Sequence, residues 1–127
     1  MAQTLLGVDA VRINEAHRAT LARRLMTELG LSQADLASML ECEQGEFESW
    51  LAGGDEPLVI ATAAGRLLEW SLCLDHLHRL FEPDRLLLVV WRPAELFSGQ
   101  RAIDLIRAGR FKDVVDLYES ALTYSPA

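Results

Sequence analysis

The side chains most able to do chemistry in this sequence fall into three groups, and two of them lead nowhere catalytic. His76 and His78 stand beside Asp75 and Glu82, types that bind metals. On a helix, positions two apart point about 200° away from each other, so the two imidazoles cannot share one ion. Cys42 and Cys73 are the only cysteines and lie far apart, which indicates neither a disulfide scaffold nor a zinc ribbon. They read as small apolar residues, and Asp113 with Asp116 reads as a solvated helix face. The chain contains no Gly-rich phosphate loop, nucleophile elbow or His-Glu-x-x-His run. No catalytic residue, cofactor or metal is therefore expected, and the chain reads as a binding protein rather than an enzyme. The third group is Arg101, Arg107, Arg110 and Lys112, which reads either as a partner surface, the arginines making bidentate contacts to carboxylates, or as an ordinary solvated helix surface with Arg107 and Lys112 near helix ends. The polar end from Thr123 to Ala127, including Tyr124, reads either as an arm reaching into that partner or as a frayed end.

That basic group stands out against an acidic background. The net charge is −7, and residues 1–64 carry four Arg/Lys against ten Asp/Glu, while residues 65–127 carry eight against nine. Such a chain repels nucleic acid at long range unless a local basic patch overrides its charge. Half the residues are hydrophobic, enough for a substantial core. The longest apolar run, Leu86 to Trp91, is six residues, whereas a membrane span needs about 20. The N-terminus lacks a secretory pattern, so a cytoplasmic protein without a membrane partner is the expectation.

The elements that must position these residues read as helices. The first dozen residues show no clear periodicity. A helix is predicted from about Asn14, with Ala22, Leu25, Met26 and Leu29 on one face and Gly30 ending it. Ser32 with Asp35 three residues on, and Leu31 with Leu36, form a complete helix start. That second helix runs to about Leu40. A third follows Cys42, buries Phe47, Trp50 and Leu51, and stops at Gly53-Gly54. Asp55-Glu56-Pro57 then opens one long helix to about Leu80, apolar on most sides. The run from Leu86 to Trp91 is assigned to a helix, because no second strand exists to pair with it. A loop to Gly99, a short helix from Ala102 to Ala108 and a last helix with Phe111, Val114, Val115, Tyr118 and Leu122 at helical spacing complete the chain. Trp50, Leu67, Leu68, Trp91, Val115 and Tyr118 are expected to be largely buried.

Leu31 to Gly53 resembles the helix-turn-helix of Xre/Cro-type repressors: Gln33 opens the first helix, Leu36, Ala37 and Leu40 pack inward, Cys42 follows the turn, and Phe47 and Trp50 anchor the second helix. In that motif the second helix enters the major groove. The resemblance makes Gln33, Gln44 and Ser49 the candidate DNA contacts. Yet between Glu41 and Glu56 there are six acids and no base. Carboxylates beside phosphates without Arg or Lys are repelled. Any basic contribution would have to come from elsewhere, with Arg18, Arg23 and Arg24 the nearest candidates. Glu43 also stands where a Ser cap is usual.

Trp91 to Leu122 resembles the toxin-binding domain of the MbcA/ParS/Xre antitoxin family, through Trp91, Pro93, Leu96, Asp104, Leu105, Ile106, Gly109, Val114 and Val115. Ala102 departs from the family's Pro at the start of the short helix, and Ala94 from its usual Asn. With the helix-turn-helix ahead, the resemblance covers roughly residues 20 to 122. It implies a non-enzymatic antitoxin-like protein whose C-terminal module binds and neutralises a RES-type NAD-consuming toxin. Arg101, Arg107, Arg110, Lys112 and Tyr124 would present the contacts. The rival implication is an Xre-family transcriptional repressor that binds operator DNA, weakly or only within a complex, or autoregulates a toxin–antitoxin operon. An orphan helical adaptor is the third.

The fold expected is thus all-α, a compact helical bundle of six or seven helices without a sheet. Residues 1–56 form an N-terminal Xre-like helix-turn-helix region. Residues 57–127 form a long central helix followed by a small C-terminal module. A homo-oligomer is expected, with the helix-turn-helix as one surface that could mediate it.

Overall fold

The structure is a computed structural model and describes residues 17–123. Eight α-helices are present among these residues: α1 (described over 17–29), α2 (Gln33–Met39), α3 (Gln44–Leu51), α4 (Leu58–Thr62), α5 (Ala64–Leu80), α6 (Pro83–Trp91), α7 (Ala102–Arg107) and α8 (Phe111–Thr123). A 3₁₀ turn, Glu95–Phe97, lies between α6 and α7. No strand occurs among the described residues; a single antiparallel bridge joins Pro93 to Arg101. The all-helical reading of the sequence therefore holds, including a helix for the Leu86–Trp91 run.

The start signals act as the sequence predicts. Ser32 Oγ accepts from the Asp35 N–H at 3.0 Å, and Asp35 Oδ2 accepts from the Ser32 N–H at 3.0 Å, a reciprocal cap for α2. Glu43 replaces the usual Ser at the start of α3 yet does the same work. Its carboxylate oxygens accept from the N–H groups of Gly45 and Glu46, each at 3.2 Å, where negative charge also suits the helix N-terminus. Between α2 and α3 the chain turns at Glu41, which takes the left-handed conformation (φ 57°) that glycine usually fills.

One boundary differs and takes the count of α-helices among the described residues to eight, above the six or seven expected. The single long helix expected from Pro57 is two helices, parted at Ala63 (φ −88°, ψ 8°). Thr62 Oγ1 donates to the Leu58 carbonyl at 3.0 Å, one turn back, a bond that bends helices. The β-branched Val59-Ile60 ahead of it and Gly65 beyond it are poor helix formers, so nothing local resists the break.

A continuous core runs through both halves. Phe47, Leu25, Leu29, Leu36 and Leu40 fill the first part, Leu67, Leu74 and Leu77 of α5 the middle, and Ile103, Ile106, Phe111 and Val114 the last. Phe47 meets Trp50 edge-on at 5.8 Å between ring centres. Phe81 and Phe97 both stand edge-on to Tyr118, at 5.0 and 5.1 Å. Burial of Trp50, Leu67, Val115 and Tyr118 matches expectation. Leu68 does not: it is 51% exposed, because α5 buries its Leu67, Trp70, Leu74 and Leu77 face and Leu68 lies on the other. Trp91 is half-buried rather than buried. Leu122, at the end of α8, is 49% exposed.

Candidate functional site

Trp91, at the end of α6, joins the two halves of the chain. Its indole Nε1–H donates to the Leu29 carbonyl at 2.8 Å, satisfying one of the carbonyls that the end of α1 leaves without an intrahelical partner. Gly30 makes this approach possible. It adopts φ 69°, and a Cβ there would sit 3.0 Å from both Trp91 Nε1 and Leu87 Cδ1. The Arg101 and Arg107 guanidiniums lie against the same indole, 5.1 and 4.8 Å from the ring centre.

Asp104 organises these cations. Its oxygens accept from Arg101 Nη2 at 2.8 Å, Arg101 Nε at 3.1 Å and the Arg101 backbone N–H at 3.2 Å. The Arg101 hydrogen bonds hold its carboxyl below the usual carboxylate range, with Arg107 adding a smaller charge effect. A group with a depressed folded pKa contributes stability above its unfolded pKa and loses it as pH falls through the folded one, so this network persists into acid conditions that neutralise an ordinary aspartate. Arg107 reaches across to α2, with Nη2 3.5 Å from Asp35 Oδ2. The same Asp35 that caps α2 thus anchors α7.

The sequence-nominated toxin contacts separate accordingly. Arg101 and Arg107 are engaged within the chain and keep 36% and 33% of their side chains exposed. Arg110 is 59% exposed and pairs with Asp113 at 2.9 Å on the outer face of α8. Lys112 is exposed beside a shallow groove lined by Glu69, Leu72, His76 and Asp116. Tyr124 lies outside the described residues. A surface that sequence reasoning missed is the outer side of α6, where Leu87 and Leu88 are 40% and 65% exposed between Arg85 and Arg92. The signal was present: three consecutive leucines on one helix cannot all face the same core.

On the α2–α3 side, Gln33, Gln44 and Ser49 are all exposed, but Gln44 Nε2 donates to Glu48 Oε1 at 2.9 Å on a helix end that also exposes Glu43 and Glu46. The nearest basic residues are committed elsewhere. Arg18 makes a two-pronged contact with Glu56, at 2.6 and 2.8 Å. Arg24 bridges Glu28 at 2.8 Å and Asp75 at 2.5 Å, and Arg23 donates to the Leu51 carbonyl. Duplex DNA should accordingly bind the isolated protein only weakly, with a shallow dependence on salt. Fluorescence anisotropy across salt concentrations checks this; a specific nanomolar complex in physiological salt would overturn it.

The remaining chemistry-bearing side chains are accounted for by packing. His76 Nε2 lies 3.0 Å from Glu119 on α8, and His78 Nε2 lies 3.0 Å from Glu28 on α1, so the two imidazoles face different helices. Burial pushes the Cys73 thiol up to about 11 and raises that of Cys42, and both are buried, which disfavours the nucleophilic thiolate. Among the described residues no helix is long and apolar enough to cross a membrane.

No family model matches this chain, and no curated protein matches its sequence. Among solved structures, a chain from the crystal structure of the M. tuberculosis MbcT-MbcA toxin–antitoxin complex is similar over 85% of this chain and 96% of that one, with a TM-score of 0.58 and 20% sequence identity. At that identity the likeness is one of fold: this chain shares the all-helical architecture of a component of a toxin–antitoxin complex.

Proposed function

We propose that this chain is an antitoxin-like protein that binds and neutralises a RES-type, NAD-consuming toxin through residues 92–127. The observation that carries the reading is the fold shared with a chain of a toxin–antitoxin complex over nearly the full length of that chain. The order of Trp91, Pro93, Asp104, Leu105, Gly109 and Val114 supports it from the sequence side. In this reading the Trp91–Arg101–Asp104–Arg107 network fixes the module's shape. Arg110 and Lys112, together with the exposed edges of Arg101 and Arg107, meet carboxylates on the toxin, and Tyr124 belongs to an arm that adds contacts. Occupying that surface obstructs access to the toxin's active site. No cofactor takes part and no reaction is catalysed by this chain.

The helix-turn-helix then serves as a scaffold. Operator binding, if it accompanies neutralisation, requires basic side chains supplied by the assembled complex, because α3 is acidic and Arg18, Arg23 and Arg24 are engaged. The test is co-expression with a RES-domain protein encoded beside this gene, followed by pull-down and a cellular NAD assay. Co-purification with restored NAD is the expected result. If a neighbouring RES-type protein depletes NAD and this chain neither binds it nor restores NAD, the antitoxin reading fails in favour of the adaptor or repressor.

A further inference from the structure

Of the three successive leucines of α6, only Leu86 is buried. At about 100° per residue, Leu88 points outward from the middle of the opposite face. Leu87 and Trp91 lie on one side of it, and Arg85 and Arg92 form the other edge. The strip is hollow as well as apolar. A groove of about 610 Å³ is lined by Gly30, Leu87, Leu88, Trp91 and Arg92, and Gly30 contributes no side chain to fill it. A second, of about 350 Å³, lies on the other flank of Leu88 between Arg85, Val89 and Arg92.

The two arginines are free. Neither makes a hydrogen bond or ion pair among the described residues, whereas Arg18, Arg24, Arg101 and Arg107 are each held by carboxylates of the chain. They stand seven residues apart, which is two helical turns and about 10 Å along one edge, in a chain whose net charge is −7. From this edge we propose that the outer face of α6 is a docking groove for an acidic amphipathic helix of a second protein. That helix sets two carboxylates seven residues apart, with apolar side chains between them. Charge complementarity fixes the sign of the partner, because two unpaired guanidiniums border the apolar strip and a basic helix would be repelled. The spacing fixes its form. Leu88 stands three residues from Arg85 and four from Arg92, so a partner helix with the same intervals nests its apolar residues around Leu88 while its acids reach the arginines. Asp84, in the first turn of α6, lies toward the Leu88 side and leaves the arginine edge to the partner's acids. Trp and Arg are also the side chains that most often dominate the energy of an interface.

This groove is independent of the toxin reading, which places Arg110 and Lys112 of α8 against the toxin. The probe is a Trp-free synthetic helical peptide of about 14 residues, with two Glu seven residues apart and two Leu midway between them. Added to the full chain at physiological salt, it should bind with a dissociation constant of about 1–100 µM. Trp91 emission should shift to the blue, since Trp50 and Trp70 are already buried. Leu88→Asp should weaken binding about thirtyfold or more and leave circular dichroism and the melting temperature unchanged, because that side chain is 65% exposed. Arg85→Glu with Arg92→Glu should weaken it by about the same factor, and a peptide with both Glu changed to Lys should bind that variant but not the natural chain. Arg110→Glu with Lys112→Glu should leave peptide affinity within about threefold, so failure of this proposal and failure of the toxin reading are separately visible. No binding at about 500 µM peptide overturns the proposal. A scrambled peptide of the same composition that binds equally well overturns it too, since charge alone would then suffice. If the peptide fails and Leu88→Asp instead turns an associated chain into a monomer, the face belongs to a second copy and the proposal falls.

Discussion

Trp91→Ala should lower the free energy of unfolding by about 3 kcal/mol, a large part of the roughly 5–15 kcal/mol that holds a small domain together. The figure has three sources. The indole bond to the Leu29 carbonyl contributes about 1 kcal/mol, and its loss leaves that acceptor without this donor. Two stacked guanidiniums contribute about 0.5–1 kcal/mol each. Loss of the indole's packing against Leu87 and Gly30 adds a further share. Trp91→Phe should fall between, since it keeps a ring face for Arg101 and Arg107 but has no N–H for Leu29. Urea unfolding measured at constant m value reads both. A Trp91→Ala loss below about 1 kcal/mol would show that the joint is incidental to stability.

The second large effect concerns the toxin. Reversing two exposed charges at once, Arg110→Glu with Lys112→Glu, should weaken toxin binding about a hundredfold, because close interfacial charge pairs couple by about 1.5 kcal/mol or more each. Folding should be almost untouched. Arg110 gives up only an exposed pair with Asp113, and the new like-charge spacing on α8 costs a few tenths of a kcal/mol. Arg85→Glu, on α6 outside residues 92–127, is the matched control and should leave affinity within about threefold. If the double reversal also changes affinity by less than about threefold, the outer face of α8 is not where the toxin docks, and the contact must be sought at the arm or on α6.

Helix starts and stops were legible because their signals are local. Ser32 with Asp35, Gly30, and Pro83 opening α6 each act on backbone groups within one turn. The division at Ala63 was harder to read, because it depends on Thr62 bonding back to Leu58 in a stretch whose hydrophobic pattern continues through the break. Leu68 reads as interior because α5 is apolar on most sides, and a pattern without a polar face cannot say which side is covered. For the arginines, sequence shows charge but not company. That Arg107 would meet Asp35 and the Trp91 ring, while Arg110 faces solvent, follows only from how α7 crosses α2 and α6. The capping role of Glu43 was hidden by its type, since a glutamate seldom does the work of a serine at that position.

The close fit between Gly30 and Trp91 has a consequence for how this chain can change over generations. An exchange of gene segments that kept only the second half would separate the indole from its carbonyl and Arg107 from Asp35 in a single event. The two halves therefore depend on one another for their shape, and the first half has a reason to keep its helices in place whether or not they read an operator. Its buried positions are fixed by what rests on them, whereas the outer residues of α3 carry no such obligation. Glutamates can accumulate there without penalty to the module behind, which leaves α3 with an acidic outer surface.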